Sequence, residues 1–262
     1  MSPTPHDDPP PEIVLIGASN VTRLLPVYAA TLRASFGRAR VFVAHGHGRS
    51  YGIETKFFGR RLDGHVCGAM WEDLEEHGNP AAARYALVTD VGNDLIYGRG
   101  VPEILSWVGD CVRRLKAMGF ETTITSLPVG PVLALSPRRF RATAKLFFPP
   151  FDVKHEDVVR SVRELDAGVR SLAEREGLGF AEERAEWFFI DPIHVRYRYR
   201  LEAVKEYLGQ WPSAPPIRGD RSGWREAVRM WRTPPKRKWV KDRCLTAEQP
   251  AKRVGDCELW LY

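Results

Sequence analysis

Four short runs of β-branched and apolar residues, Ile13-Val-Leu-Ile-Gly17, Arg40-Val-Phe-Val-Ala44, Tyr85-Ala-Leu-Val-Thr89 and Glu121-Thr-Thr-Ile-Thr-Ser126, are separated by stretches long enough to hold helices. This alternation constrains the fold more than any other feature of the chain. Strands that alternate with helices pair in parallel through right-handed crossovers, and helices then cover both faces of the sheet. After the first run, Val21, Leu24, Leu25, Tyr28 and Leu32 recur at helical spacing. Val101-Pro opens a helix through Met118 that Gly119 ends, Glu156 to Glu176 is amphipathic, Phe180 lies in a short fifth strand, and Tyr197 to Leu208 closes the pattern with a helix. The expectation is one α/β domain over residues 12–211, with ligands at the carboxyl ends of its strands.

The chain has 262 residues, 44% hydrophobic and 27% charged, which suits a globular protein with a substantial core and excludes wholesale disorder. Residues 1–11 carry three consecutive prolines and no basic or apolar run, so they read as a flexible lead and not a secretory signal. No apolar stretch approaches the roughly 20 residues of a membrane-spanning helix, and a cytoplasmic location is expected. Cysteines 67, 111, 244 and 257 are scattered and read as free thiols.

The formal net charge of +6 is concentrated in one place. Between Arg218 and Arg243 ten Lys or Arg stand against three acids, so the rest of the chain is close to neutral. Residues 212–262, beginning at a Pro-Ser-Ala-Pro-Pro break, read as a basic, tryptophan-containing extension appended to the domain. Within it Trp224, Ala227, Val228 and Trp231 share one helical face. Three roles fit this segment: a solvated face that packs its tryptophans on the domain, a contact for an anionic partner such as nucleic acid or membrane, or a partner-binding helix.

Four small motifs carry chemistry. Ser19 stands where the first strand turns into a helix, beside that helix's unpaired N–H groups, which suits a nucleophile and also an ordinary helix N-cap. His194 with Asp191 three residues earlier forms a candidate base and its orienting acid, or a structural pair. Asn93 offers an amide donor after the third strand, and Gly48 an unobstructed backbone N–H; both also suit turns. Gly46 is an alternative to Gly48. The series Gly46-His-Gly-Arg-Ser-Tyr-Gly52 does not match a dinucleotide loop, and His45, His47, His65 and Asp63 match no standard metal spacing, so these histidines read as solvated loop residues.

In this order, the four blocks resemble the SGNH, or GDSL-like, serine hydrolase family across roughly Ile13 to Leu208. The resemblance implies a catalytic Ser19, His194 and Asp191, an oxyanion hole from Ser19 N–H, Gly48 and Asn93, and no cofactor or metal. It also implies a three-layer α/β/α, flavodoxin-like sandwich with a five-stranded parallel sheet in the order 2-1-3-4-5. The opening motif departs from the family's, reading Gly-Ala-Ser-Asn with Ala18 in place of an acid and Asn20 in place of an apolar residue.

The reaction so implied is cleavage of an acyl ester through an acyl-serine. The alternatives are an O-acyltransferase using the same site and a non-catalytic binding protein of the same scaffold with an anion-facing tail. Residues 128–152, with five prolines, Arg138, Arg139, Phe140, Arg141, Phe147, Phe148 and Phe151, read as a long loop with two roles open: a lining for the substrate entrance, the phenylalanines for an acyl chain and the arginines for an anionic group, or an exposed, charged lid.

Overall fold

A computed structural model describes residues 8–57, 60–141, 154–189, 191–240 and 243–262. Phe147, Phe148 and Phe151 lie outside the described residues.

The alternating runs form the expected parallel strands. Strand β1 (Glu12–Ile16) is followed by helix α1 (Ser19–Phe36) and β2 (Arg38–Ala44); β5 (Arg84–Val88), β6 (Glu121–Thr125) and β7 (Gly179–Ala181) complete the set. They lie side by side as β2-β1-β5-β6-β7, all parallel, which is the 2-1-3-4-5 order in the numbering of the alternating pattern. Every residue of β1 is buried, as a central strand covered on both faces requires. One face packs α4 (Val101–Ala117) and α6 (His155–Glu176) through Ile104, Val108, Val112, Leu165 and Val169. The other packs α1 and α7 (Arg200–Leu208) through Leu24, Leu25, Tyr28, Val204 and Tyr207. Helix α7 begins after a single 3-10 turn at Tyr197–Tyr199, so the closing helix is shorter than its periodicity predicts.

The strand count departs from expectation. Among the described residues the sheet has seven strands, not five, because the last residues supply β11 (Asp256–Leu261), parallel to β2, and β10 (Lys252–Val254), antiparallel to β11. The segment after residue 211 is therefore not an appendage to the sheet. Leu259 and Leu261 are fully buried beside α1, and Trp260 packs on Phe42 across the opposite face at 5.3 Å between ring centroids. Adding β11 covers the β2 edge with apolar side chains on both faces, whereas an uncovered β2 would present unpaired N–H and C=O groups.

A second, antiparallel sheet joins the loop after β2 to the basic segment, in the order β3 (Thr55–Phe57), β4 (Arg60–Leu62), β8 (Arg237–Val240), β9 (Arg243–Thr246). Arg61 stacks over Trp239 at 4.0 Å from the ring centroid. Helix α8 (Trp224–Trp231) lies against α1: Met230 is buried, and the Trp231 indole N–H donates to Thr22 O at 3.1 Å. Trp224, on the same helix, is exposed.

Candidate active site

The turn from β1 into α1 is built so that the amide of Ser19 stays available. Gly17 has no room for a side chain, since a Cβ there would lie 2.5 Å from Val21 Cγ2 and 2.8 Å from Thr89 Cγ2. This close approach brings the helix N-terminus against the end of β5, where Asp90 takes a left-handed φ of 61° that aspartate tolerates better than most residues. Asp90 Oδ2 then accepts from the N–H groups of Ala18 at 2.7 Å, Asn20 at 3.0 Å and Val21 at 3.4 Å. Ser19 N–H is not among them. Asp90 thus supplies to the opening turn, from a different strand, a carboxylate that Ala18 lacks, and it complements the positive end of α1.

Asn20 does more than close the motif. Its Nδ2 donates to Asp90 Oδ1 at 2.8 Å and to Ile193 O at 2.7 Å, while its Oδ1 accepts from Val195 N–H at 3.0 Å. Ile193 and Val195 flank His194, so this one buried amide holds the histidine loop against the turn that carries Ser19. Neither Asp90 nor Asn20 is among the site residues that the sequence motifs single out. The only sequence signal was a polar residue at the end of a strand and another where an apolar one is usual.

His194 Nδ1 lies 2.6 Å from Asp191 Oδ2, and Asp191 also meets the Arg23 guanidinium at 3.5 Å. Burial works to raise the Asp191 carboxyl, but the hydrogen bond and charge of His194, the Ile193 N–H and Arg23 outweigh it and hold the group below the usual carboxylate range. His194 Nε2 is buried and makes no hydrogen bond. Ser19 and His194 therefore stand on adjoining, cross-braced loops without a bond between them, a looseness common in sites free of substrate.

Asn93 opens the short helix α3 (Asn93–Ile96), and its Nδ2 donates to Arg49 O at 3.3 Å. Gly48, the residue before, has a left-handed φ of 69°, and its carbonyl accepts from Tyr97 Oη at 2.6 Å. Below, the buried Asp94 accepts from Ser50 Oγ and from Tyr51 N–H at 2.9 Å; burial nonetheless pushes its carboxyl up to about 6. These bonds anchor the 46–51 loop to α3. Ser19 and Asn93 both line one pocket; Gly48 lies behind Asn93 and does not line it.

The pocket beyond Ser19 is apolar, walled by Leu95, Leu127, Val132, Leu135, Phe140 and Val162. Phe140 is buried in this wall, while Arg138, Arg139 and Arg141 are exposed outside it, so of the two roles open to this segment the arginines fit the exposed, charged one and do not line the pocket. The helical segment there turns its phenylalanine inward and leaves its guanidinium groups in water.

Besides Asp90, a second acid borders the pocket. Glu183 Oε1 accepts from Tyr207 Oη at 2.8 Å, and Oε2 is buried without a partner. Burial pushes this carboxyl up to about 8, the Tyr207 bond opposes the rise, and the charge of Asp90 adds to it. The folded protein thus holds a proton that the unfolded chain releases above the ordinary value of 4.5, and stability contributed by neutral Glu183 falls as pH rises through that window to about 8. Glu183→Gln is expected to narrow the loss of stability between pH 5 and pH 8 by about 2 kcal/mol or more, read by urea unfolding at both pH values. An unchanged difference would show that Glu183 is ionised in the folded state.

Of the histidines expected to be solvated, His65 is packed and His45 is partly covered instead. His65 is buried against Tyr51, with ring centroids 4.8 Å apart, and His45 lies 2.9 Å from Thr22 Oγ1 through Nδ1. Burial, then the charge of Arg49, lowers His45 to about 3, so it is neutral at ordinary pH. With Asp63 and His47 they do not gather into a ligand set. Among the described residues such a group occurs only at Asp73, Glu76 and His77, where Asp73 is already engaged by Lys236 and Tyr262.

The sequence matches no family model and no curated protein. Among solved structures it is similar to the psychrotrophic esterase EstA from Pseudoalteromonas sp., inhibited by monoethylphosphonate, at 11% identity and a TM-score of 0.49, covering 76% of this chain and 97% of that one. It is also similar to a GDSL-like lipase from Bacteroides thetaiotaomicron (11% identity, TM-score 0.43, 84% and 82% covered) and to AlinE4, an SGNH-hydrolase family esterase (16% identity, TM-score 0.41, 72% and 88% covered). The solved structures that this chain is similar to include esterases of the SGNH and GDSL kind.

Proposed function

We propose that this chain is a serine esterase of the SGNH/GDSL type, which cleaves an acyl ester through a covalent acyl-Ser19. The observation that carries the reading is the Asp191–His194 pair, with Nε2 buried and unbonded, on a loop that Asn20 ties to the Ser19 turn. His194 Nε2 takes the proton of Ser19 Oγ as the oxygen attacks the ester carbonyl carbon. Asp191 fixes the ring so that Nδ1 keeps its hydrogen and Nε2 is the free base. The tetrahedral oxyanion is met by Ser19 N–H, which Asp90 leaves untouched, and by Asn93 Nδ2, while Gly48, outside the pocket lining, is assigned no donor role. Collapse expels the alkoxide, which takes the proton from His194, and water repeats the sequence on the acyl-enzyme. The apolar pocket suits the acyl chain.

A fluorophosphonate probe is expected to attach to Ser19 alone, located by peptide mass spectrometry, and unfolding with urea is expected to abolish labelling. Labelling of another serine, or none, would overturn the assignment. A chain-length series of chromogenic esters reads the pocket: turnover confined to acetyl esters would count against an acyl chain between Leu127, Val132 and Phe140.

A further inference from the structure

The apolar pocket accounts for one arm of an ester bound over Ser19. The other arm, the alkoxy group, must leave past the histidine that protonates it. Next to the Asp191–His194 pair, which it meets through Arg23, lies a second cleft of about 230 Å³, whose lining includes Arg23, His47, Phe57, Arg60, Trp231 and Arg237.

Several observations tie this cleft to the candidate catalytic centre. Arg23 follows α1's first turn and contacts Asp191 at 3.5 Å, one bond away from His194. His47 stacks on Phe57 at 5.8 Å. Burial, then the neighbouring charges of His194, Arg23 and Arg60, lower His47's pKa, with Asp90 pulling the other way. His47 is thus within electrostatic reach of His194, Arg23 and Arg60.

Among the described residues that line the cleft there are three arginines and no Asp or Glu. Arg237 is paired from outside the cleft by Glu72 at 3.1 Å, and Arg23 by Asp191. Arg60 has no ion pair among the described residues, and its backbone is held in β4 between β3 and β8. A guanidinium carried on a strand beside a partly enclosed cleft, with no ion pair among the described residues, is suited to an oxyanion such as a carboxylate or phosphate.

We propose that this cleft is the subsite for the alcohol portion of the ester, and that it takes an alcohol carrying an anionic group bound by Arg60 with Arg23 and His47 beside it. The basic C-terminal segment, through Trp231 and Arg237, forms the outer wall of that subsite. The proposal rests on the reading of Ser19 and His194 as the catalytic pair, and it deepens that reading by naming the substrate class.

The test compares butyryl esters of glycerol, of glycolate and of glycerol phosphate, so that acyl chain is constant while the alcohol is neutral, a carboxylate or a phosphate. The anionic esters are expected to exceed the glycerol ester in kcat/KM by about tenfold, and Arg60→Ala and Arg60→Glu are expected to remove that ratio progressively. The ratio is internal to one preparation, so loss of folded protein cancels. Which anionic ester leads distinguishes carboxylate from phosphate. A neutral ester turned over as well as the anionic ones, or a preference that survives Arg60→Glu, overturns the proposal. If no ester is turned over, the catalytic reading fails separately, and calorimetric titration of glycerol phosphate and glycolate into wild type and Arg60→Glu still decides the subsite. Binding lost in the variant supports it, and no binding of either to wild type sinks it.

Discussion

Ser19→Ala is expected to lower kcat on a short-chain ester by about 10⁴-fold or more, and His194→Ala to do nearly as much. The double variant is expected to be no worse than either single one, because nucleophile and base act as one unit: without the base the hydroxyl is a weak nucleophile, and without the hydroxyl the base has nothing to activate. Asp191→Asn is expected to fall between wild type and these variants. Its carboxylate orients His194 at 2.6 Å yet is half exposed, so water takes over part of its role. These values are read from steady-state kinetics with the unfolding temperature measured alongside. Variants at Ser19 and His194 whose losses multiplied would indicate that the two groups serve different steps.

The second large effect lies far from the reacting atoms. Deleting residues 256–262 removes β11, including the buried Leu259 and Leu261, and exposes the β2 edge. It also removes Tyr262, whose carbonyl accepts from Arg49 Nη1 at 2.8 Å and His45 N–H at 3.2 Å and whose hydroxyl donates to Asp73 at 2.7 Å. Burying one such leucine is worth roughly 2–5 kcal/mol by its truncation to alanine, and whole domains are stable by only about 5–15 kcal/mol. The deletion is therefore expected to leave the chain unable to fold, seen as lost cooperative unfolding and aggregation. Leu259→Ala alone is expected to retain the fold at about 2–5 kcal/mol lower stability. A deletion variant with wild-type melting behaviour would show that β11 is dispensable.

The parallel core was legible because each of its strands follows from a local pattern, and the crossover rule orders them without reference to distant residues. β11 carries a visible signal too, with Leu259 and Leu261 alternating around Trp260, but nothing local states which edge it joins. Its partner β2 is at the other end of the chain, and the proline-rich break before it suggested a separate piece. At the candidate site, Ser19 and Asn93 stand out in the sequence as residue types after strands, and Asp191/His194 as a local pair. Asp90 and Asn20 were not, since their roles consist of bonds across some 70 and 170 positions. The loop histidines were misread for a related reason: burial of a polar ring depends on what packs over it, here Tyr51 for His65.

The position of β11 also has a consequence for biosynthesis. β2 ends at Ala44, and the strand that completes its edge begins at Asp256, so roughly 200 residues must be made between them. At synthesis rates of about 5–20 residues per second, the β2 edge waits on the order of ten to forty seconds for its own partner. During that interval a nascent chain offers an open, apolar strand edge to any neighbour on the same message, and a chaperone that shields it would be serving one specific edge of one sheet.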